Sequence, residues 1–326
     1  MPASTTSDLA AGVRAGDRTV VGRAITLVES TSPDHRVQAR ELLAELAPDT
    51  GGSIRVGITG VPGVGKSTFI DSLGTMLTSA GSRVGVLAVD PSSTLHGGSI
   101  MGDKTRMARL ANDPAAFIRP SPSSGTLGGV TRTTRETMAV FEAAGFDVVL
   151  VETMGVGQSE TAVADMVDTF VVMALSGAGD ELQGIKKGVL ELADIVVVNK
   201  ADGDNVVRAK AAARDISTAL HLVVGPDAQW QPPVLTVSAL EEDGLDLFWG
   251  QVGRHRDALV DAGLFDRRRE DQLVRWMWAM VDEQVLEQLH ATPAVARLKD
   301  GLEADVRSGR ASPVAGAERI LDAFNG

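Results

Sequence analysis

Six short apolar runs recur through the middle of the chain: Ile54 to Thr59, Arg83 to Asp90, Asp147 to Glu152, Phe170 to Leu175, Ile195 to Asn199 and Val234 to Ser238. They are rich in β-branched residues, nearly continuous rather than alternating, and bounded by turn residues, which is the pattern of strands buried on both faces. Helical stretches such as Lys66 to Ser79 and Ala201 to Leu220 lie between several of them. Strands alternating with helices predict an α/β fold, a mostly parallel central sheet with right-handed crossovers and flanking helices.

The two ends carry a helical period instead. Arg36 to Leu46 has apolar residues at Val37, Leu42, Leu43 and Leu46, and a Gly51-Gly52 break separates it from the first strand. Beyond about Leu264 no strand pattern returns. Glu270 to His290 predicts a long helix with apolar residues at Val274, Trp278, Val281, Val285 and Leu289. Trp276, Met277 and Met280 widen its apolar arc; Trp276 and Trp278 lie about 200° apart around such a helix, so they face different ways. The expected organisation is a helical extension over residues 1–52, the α/β domain over 53–262 and a second helical extension over 263–326.

Composition narrows the classes. A formal charge of −12 disfavours nucleic acid, whose phosphate backbone calls for clustered Lys and Arg. The basic run Arg267-Arg268-Arg269 is followed at once by Glu270 and Asp271 and reads as a solvated helix start. The absence of cysteine excludes disulfides, thiolate metal sites and a cysteine nucleophile. With no apolar leader and no run of about 18 apolar residues, the expectation is a cytoplasmic protein with no membrane partner.

The first strand runs straight into Gly60-Val61-Pro62-Gly63-Val64-Gly65-Lys66-Ser67-Thr68, a Walker A phosphate loop. Glycines let successive backbone N–H groups turn around phosphates where a Cβ would block them. The helix opening at Lys66 aims its positive end at the same charge. Lys66 is placed to reach the β- and γ-phosphates, and the Ser67 hydroxyl to take a Mg²⁺ position.

The strand at Ile195 ends in Asn199-Lys200-Ala201-Asp202. A carboxylate accepts two hydrogen bonds from the N1–H and exocyclic amine of guanine, a donor pair that adenine lacks, so Asp202 selects GTP and GDP. Asn199 can brace the loop, and the Lys200 stem can cover the base. Ser238-Ala239-Leu240, closing the last strand, would offer backbone N–H groups to the guanine oxygen. Asp90 and Glu152 end two further strands, and in a parallel sheet the ligand lies at the carboxyl edge, so both acids point toward the phosphates and a hard Mg²⁺ ion. Gly155 suits a switch whose amide bonds the γ-phosphate and releases it after hydrolysis.

Together, GVPGVGKST (60–68), VDPSS (89–93), GGSIMGDKTRM (97–107), ETMGVGQSE (152–160), GAGDELQGIKKG (177–188) and VVNKADGDN (197–205) resemble the MeaB/ArgK GTPases over roughly residues 54 to 240. The resemblance implies a P-loop protein of the SIMIBI class that acts as a chaperone of a cobalamin-dependent acyl-CoA mutase, chiefly methylmalonyl-CoA mutase. It further implies a homodimer through the C-terminal helices, and Mg²⁺ ligation or water ordering by Asp90, Asp103 and Glu152. Mobile segments are implied near Asp90–Asp103, Glu152–Ala164 and Gly177–Gly188, with Asp180, Glu181 and Lys186 relaying nucleotide state to the mutase. Ser176, where relatives usually carry proline, and Leu95-His96 depart from the family pattern.

The expected chemistry is slow GTP hydrolysis, accelerated on the partner, because phosphoryl transfer depends mostly on positioning and charge stabilisation. Lys66 and Mg²⁺ neutralise charge, and Asp90 or Asp103 orients the water. Gln158 is a further candidate to position that water; Arg106 and Arg109 are candidate cations whose helical spacing reads more simply as solvated. The alternatives are a metal-insertion GTPase, disfavoured by five isolated histidines and no cysteine, a P-loop kinase, and a scaffold with a vestigial site.

Overall fold

The computed structural model describes residues 5–90, 106–122, 127–153, 159–176, 187–225 and 228–326; at Asp90, 121–122, 127–131, Ser159 and Lys187 only the backbone is described. The strands are β1 (Ile54–Gly60), β2 (Val84–Asp90), β3 (Ala116–Pro122), β4 (Val148–Thr153), β5 (Thr169–Leu175), β6 (Ile195–Asn199) and β7 (Val234–Thr236). They form one sheet in the order β3-β2-β4-β1-β5-β6-β7. Every pairing in it is parallel.

Both faces are buried, which accounts for the continuous apolar runs. In β4, Val149 and Val151 face one core with the helices Thr6–Arg14, Arg18–Val28, Pro33–Leu46 and Leu127–Ala143. Val148 and Leu150 face the other, with Phe69 and Leu73 of the helix Lys66–Ser79 and Phe248 and Val252 of Leu245–Asp261. Alternation within a strand therefore serves two cores rather than separating core from water.

Six of the strands are those expected from the sequence; β3 is the addition. Its sequence AFIRPSP breaks the apolar run with Arg119, Pro120 and Pro122. Proline removes a ladder donor and is confined to sheet edges, which is where β3 lies.

The chain divides into two compact units, Met1–Gln272 and Leu273–Gly326, the boundary falling inside the helix Phe265–Ala291. The first unit takes in the N-terminal helices. The second holds the remainder of that helix with Pro293–Arg307 and Pro313–Asn325, the last two packed together around Leu302, Val306 and Gly316. No helix among the described residues is long and apolar enough to cross a membrane.

The solvated reading of the triple arginine needs correction. Arg269 forms a two-armed pair with Asp168, at 2.9 and 2.7 Å, and also donates to the carbonyls of Gly51 and Ser53. Arg268 reaches Asp194 at 3.2 Å. Two of the three arginines therefore fasten the start of the helix at the amino edge of the sheet, because carboxylates distant in sequence are folded onto them.

Candidate functional site

The phosphate loop leaves β1 at the centre of the sheet. Gly60 (φ 154°) and Gly65 (φ 94°) both adopt positive φ. A Cβ on Gly60 would lie 2.5 Å from the Met173 carbonyl of β5, and one on Gly65 would lie 2.6 Å from Asn199 Nδ2. Glycine is required at both points by close approach as well as by conformation.

Beyond Gly65 the helix Lys66–Ser79 begins. Lys66 is buried, and its ammonium donates to the carbonyls of Gly60 at 2.7 Å and Val61 at 3.3 Å. Burial pulls its pKa below the usual lysine value; Glu152 opposes that shift and Arg106 adds to it. Ser67 donates its hydroxyl to Glu152 Oε1 at 3.0 Å. Glu152 is buried near the end of β4, next to Thr153, whose hydroxyl donates to Thr59 Oγ1 at 2.8 Å. Pro62, Gly63, Lys66, Ser67, Thr68, Arg106, Glu152 and Lys200 line a cleft of about 710 Å³.

The loop at 199–202 is fastened to the phosphate loop. Asn199 is buried and donates through Nδ2 to the Val64 carbonyl at 2.8 Å, while its Oδ1 accepts from the Ala239 amide at 3.2 Å. Asp202 accepts at 2.7 Å from the Ser238 hydroxyl, which in turn accepts from the Glu241 amide. Lys200 holds a left-handed conformation, φ 59°, and its carbonyl accepts from Asn205 Nδ2 at 2.6 Å. Leu240 follows in an exposed turn. Residues 60–68, 199–202 and 238–240 thus meet at one edge of the sheet through named hydrogen bonds.

The remaining expected residues stand differently. Asp90 ends β2 at the same carboxyl edge, its backbone in register with Pro122. Asp103, Gly155 and Gln158 lie outside the described residues, as do Leu95, His96, Asp180, Glu181 and Lys186. Arg106 is exposed and lines the cleft. Arg109 is engaged elsewhere: it pairs with Asp71 at 2.9 Å and with Glu242, and donates to Ser72 Oγ at 2.7 Å. Ser72 in turn donates to the Ala239 carbonyl at 2.7 Å. Asp71, Ser72 and Glu242 hold the Ala239 turn in place, a function that no local motif announces.

The donor set suits a hard cation. A serine hydroxyl and a buried carboxylate 3.0 Å apart are oxygen ligands, as Mg²⁺ prefers, and Mg²⁺ completes its shell with waters and phosphate oxygens. Among the described residues no group of three or more His, Cys, Asp or Glu side chains could hold a metal by itself.

The family model for methylmalonyl Co-A mutase-associated GTPase MeaB matches residues 21–294. The chain belongs to the MeaB family. A protein of Mycobacterium tuberculosis described as a probable GTPase is 60% identical to it over 321 residues, covering 98% of this chain and 96% of that one. The GTPase ArgK of Escherichia coli is 46% identical over 310 residues, covering 95% and 94%. The mouse protein called methylmalonic aciduria type A homolog, mitochondrial, is 44% identical over 323 residues, covering 96% and 78%. The crystal structure of a protein named LAO/AO transport system kinase superposes with a TM-score of 0.76 at 38% identity and covers 100% of this chain and 99% of its own. The parallel sheet with its phosphate loop is accordingly the MeaB-family arrangement of a P-loop GTPase.

Proposed function

We propose that the chain binds GTP and GDP with Mg²⁺, hydrolyses GTP slowly on its own, and assists a cobalamin-dependent acyl-CoA mutase, methylmalonyl-CoA mutase foremost, in cofactor loading or protection. The observation that carries the nucleotide reading is Asn199, whose amide joins the phosphate loop to the Ala239 turn. A ligand with a phosphate tail and a base at the other end fits this connection. The mutase reading is supported by the family's description and by 44% identity to the mouse methylmalonic aciduria type A homolog.

In this reading Lys66 supplies a buried positive charge at the phosphates. Its lowered pKa reflects desolvation that phosphate oxygens would offset. Ser67 and Glu152, with Asp90 and Asp103, would hold Mg²⁺, which supplies charge neutralisation when bound. Asp202 reads the base and the Lys200 stem covers it; the amides of Ser238 and Ala239 already donate to the Asp243 carbonyl and to Asn199 Oδ1, which leaves the Leu240 amide for the base oxygen. Gly155 lets go of the γ-phosphate after hydrolysis, and the segment 177–188 carries that change to the mutase. Such a relay works only if the GTP and GDP forms differ in mutase affinity.

Binding of a purified methylmalonyl-CoA mutase in the presence of GDP and of a non-hydrolysable GTP analogue tests this directly. Different affinities, with faster GTP hydrolysis on mixing, are expected. Equal affinities together with unchanged hydrolysis would overturn the coupling. The likeness to a protein named as a kinase favours one second reading, phosphoryl transfer to an acceptor other than water. Labelled γ-phosphate recovered on a protein or small molecule would support it.

The apolar arc of the C-terminal helix favours a homodimer. Leu273, Val274, Met277, Trp278, Val281 and Leu286 are exposed along it, a density of apolar side chains that calls for cover.

A further inference from the structure

Ser176 immediately follows β5, and its hydroxyl lies 2.5 Å from Asn205 Oδ1. Asn205 Nδ2 in turn donates to the Lys200 carbonyl at 2.6 Å. The Lys200 carbonyl can only accept, so the amide atom facing it must be nitrogen, and the atom facing Ser176 must be oxygen. The Lys200 carbonyl thus fixes which way the Asn205 amide points, and the Ser176 hydroxyl, which could donate or accept, serves as the donor that holds its oxygen. Asn205 precedes the helix Val206–Val224 and is half-buried, as is Ser176.

The recipient of this chain of bonds is a strained residue. Lys200 is one of two non-glycine residues with positive φ among those described. A left-handed conformation costs a side-chain-bearing residue roughly 1–2 kcal/mol and persists only where neighbours enforce it. Two contacts enforce it here: Asn205 on the Lys200 carbonyl, and the Ala201 amide donating to the Val237 carbonyl at 3.1 Å. Lys200 lines the cleft, with its Cε 3.9 Å from the point a Cβ on Gly65 would occupy. The same loop carries Asp202 two residues on.

We propose that Ser176, acting through Asn205, is a positioning residue for base recognition: it locks the Lys200 backbone so that Lys200 and Asp202 meet the guanine. Ser176 does not touch the nucleotide. It ties the base loop to the residue at which β5 stops, so that a displacement of Ser176 would be felt as altered guanine affinity. The inference rests on the guanine reading of the site given above.

Fluorescent GDP titration of the full chain, with competition by GDP and by inosine diphosphate, is the test. Inosine diphosphate lacks the exocyclic amine that Asp202 would read. Ser176→Ala is expected to weaken GDP binding roughly three- to tenfold, the size of one lost hydrogen bond, mainly through faster release. It should also narrow the preference for GDP over inosine diphosphate, a readout that loss of general stability would not move. Ser176→Thr, which keeps the hydroxyl, should restore both. Ser176→Ala added to Asn205→Ala should cause no further loss, because both act through one route. Unchanged GDP affinity and base preference in Ser176→Ala, or additive losses in the double variant, would overturn the proposal while leaving the guanine reading intact. A wild-type chain that prefers neither GDP nor GTP over adenine nucleotides would instead overturn the guanine reading, and this inference with it.

Discussion

At the scale of single residues, the site is held by groups that do their work by being fully engaged. Gly65 shows how little room remains: its positive φ and the 2.6 Å approach to Asn199 Nδ2 both exclude a side chain. Gly65→Ala should therefore strain the loop by about 1–2 kcal/mol and push Asn199 off the Val64 carbonyl. The expected outcome is a loss of GDP affinity of roughly tenfold or more, with a lower melting temperature, read by nucleotide titration and a thermal melt. Retained affinity would show that the bond between the two loops is dispensable. The loops at 60–68 and 199–202, which hydrogen bonds join, were legible in the sequence because each is an unbroken run of residues that follows a strand. Ser72, Asp71 and Glu242 were not legible, since an ordinary serine and two surface-type acids acquire their role only when Arg109 is folded against them.

At the scale of elements, the central strands announced themselves through apolar runs buried on both faces. The edge strand β3 did not, because its outer position tolerates Arg119, Pro120 and Pro122. The helix opening at Phe265 was legible by period, but the fate of its arginines was not: Arg268 and Arg269 look solvated beside Glu270 and Asp271, while their partners lie 74 and 101 residues away. Asp194, just before β6, gathers several of these ties. It accepts from the Phe170 amide at 2.8 Å, lies 3.3 Å from His255 Nε2 and 3.2 Å from Arg268, and its carbonyl accepts from Trp230. Burial alone would raise its carboxyl, but the His255 bond, the Arg268 charge and the Phe170 amide outweigh that and hold it below the usual range. A carboxyl depressed on folding stabilises above its unfolded value, near 3.9, and the contribution fades as pH falls through the folded value. Asp194→Asn should thus cost about 3 kcal/mol at neutral pH. In urea titrations across pH 3 to 7, the gap from wild type should close at the acid end. A gap independent of pH would show that the charge of Asp194 contributes nothing.

At the scale of the molecule, the parallel sheet separates two kinds of work. Its carboxyl edge carries the cleft, while Asp168, Asp194, Arg268 and Arg269 bind structure together at the amino edge. The second unit, Leu273–Gly326, stands apart in composition, since an apolar arc is its most evident surface feature. If that arc is a dimer contact, sedimentation at micromolar concentration should give twice the mass of the chain, and Trp278→Glu should shift it toward one copy. A monomer at that concentration would overturn the dimer reading. The family to which the chain belongs was visible from strings of residues rather than from single motifs, because long loop sequences carry information that a nine-residue phosphate loop, shared by many proteins, does not.

Asn199 has a consequence for how this site could be altered. Its amide is committed at both ends to other parts of the chain, so it acts as a rivet between the phosphate loop and the Ala239 turn. Asp202, by contrast, is a carboxylate with acceptor capacity beyond its bond to Ser238. In the proposed reading a redesign toward a foreign nucleobase starts at Asp202, whereas a lesion at the rivet unfastens the loops themselves and is not repaired by a change of nucleotide supplied from outside.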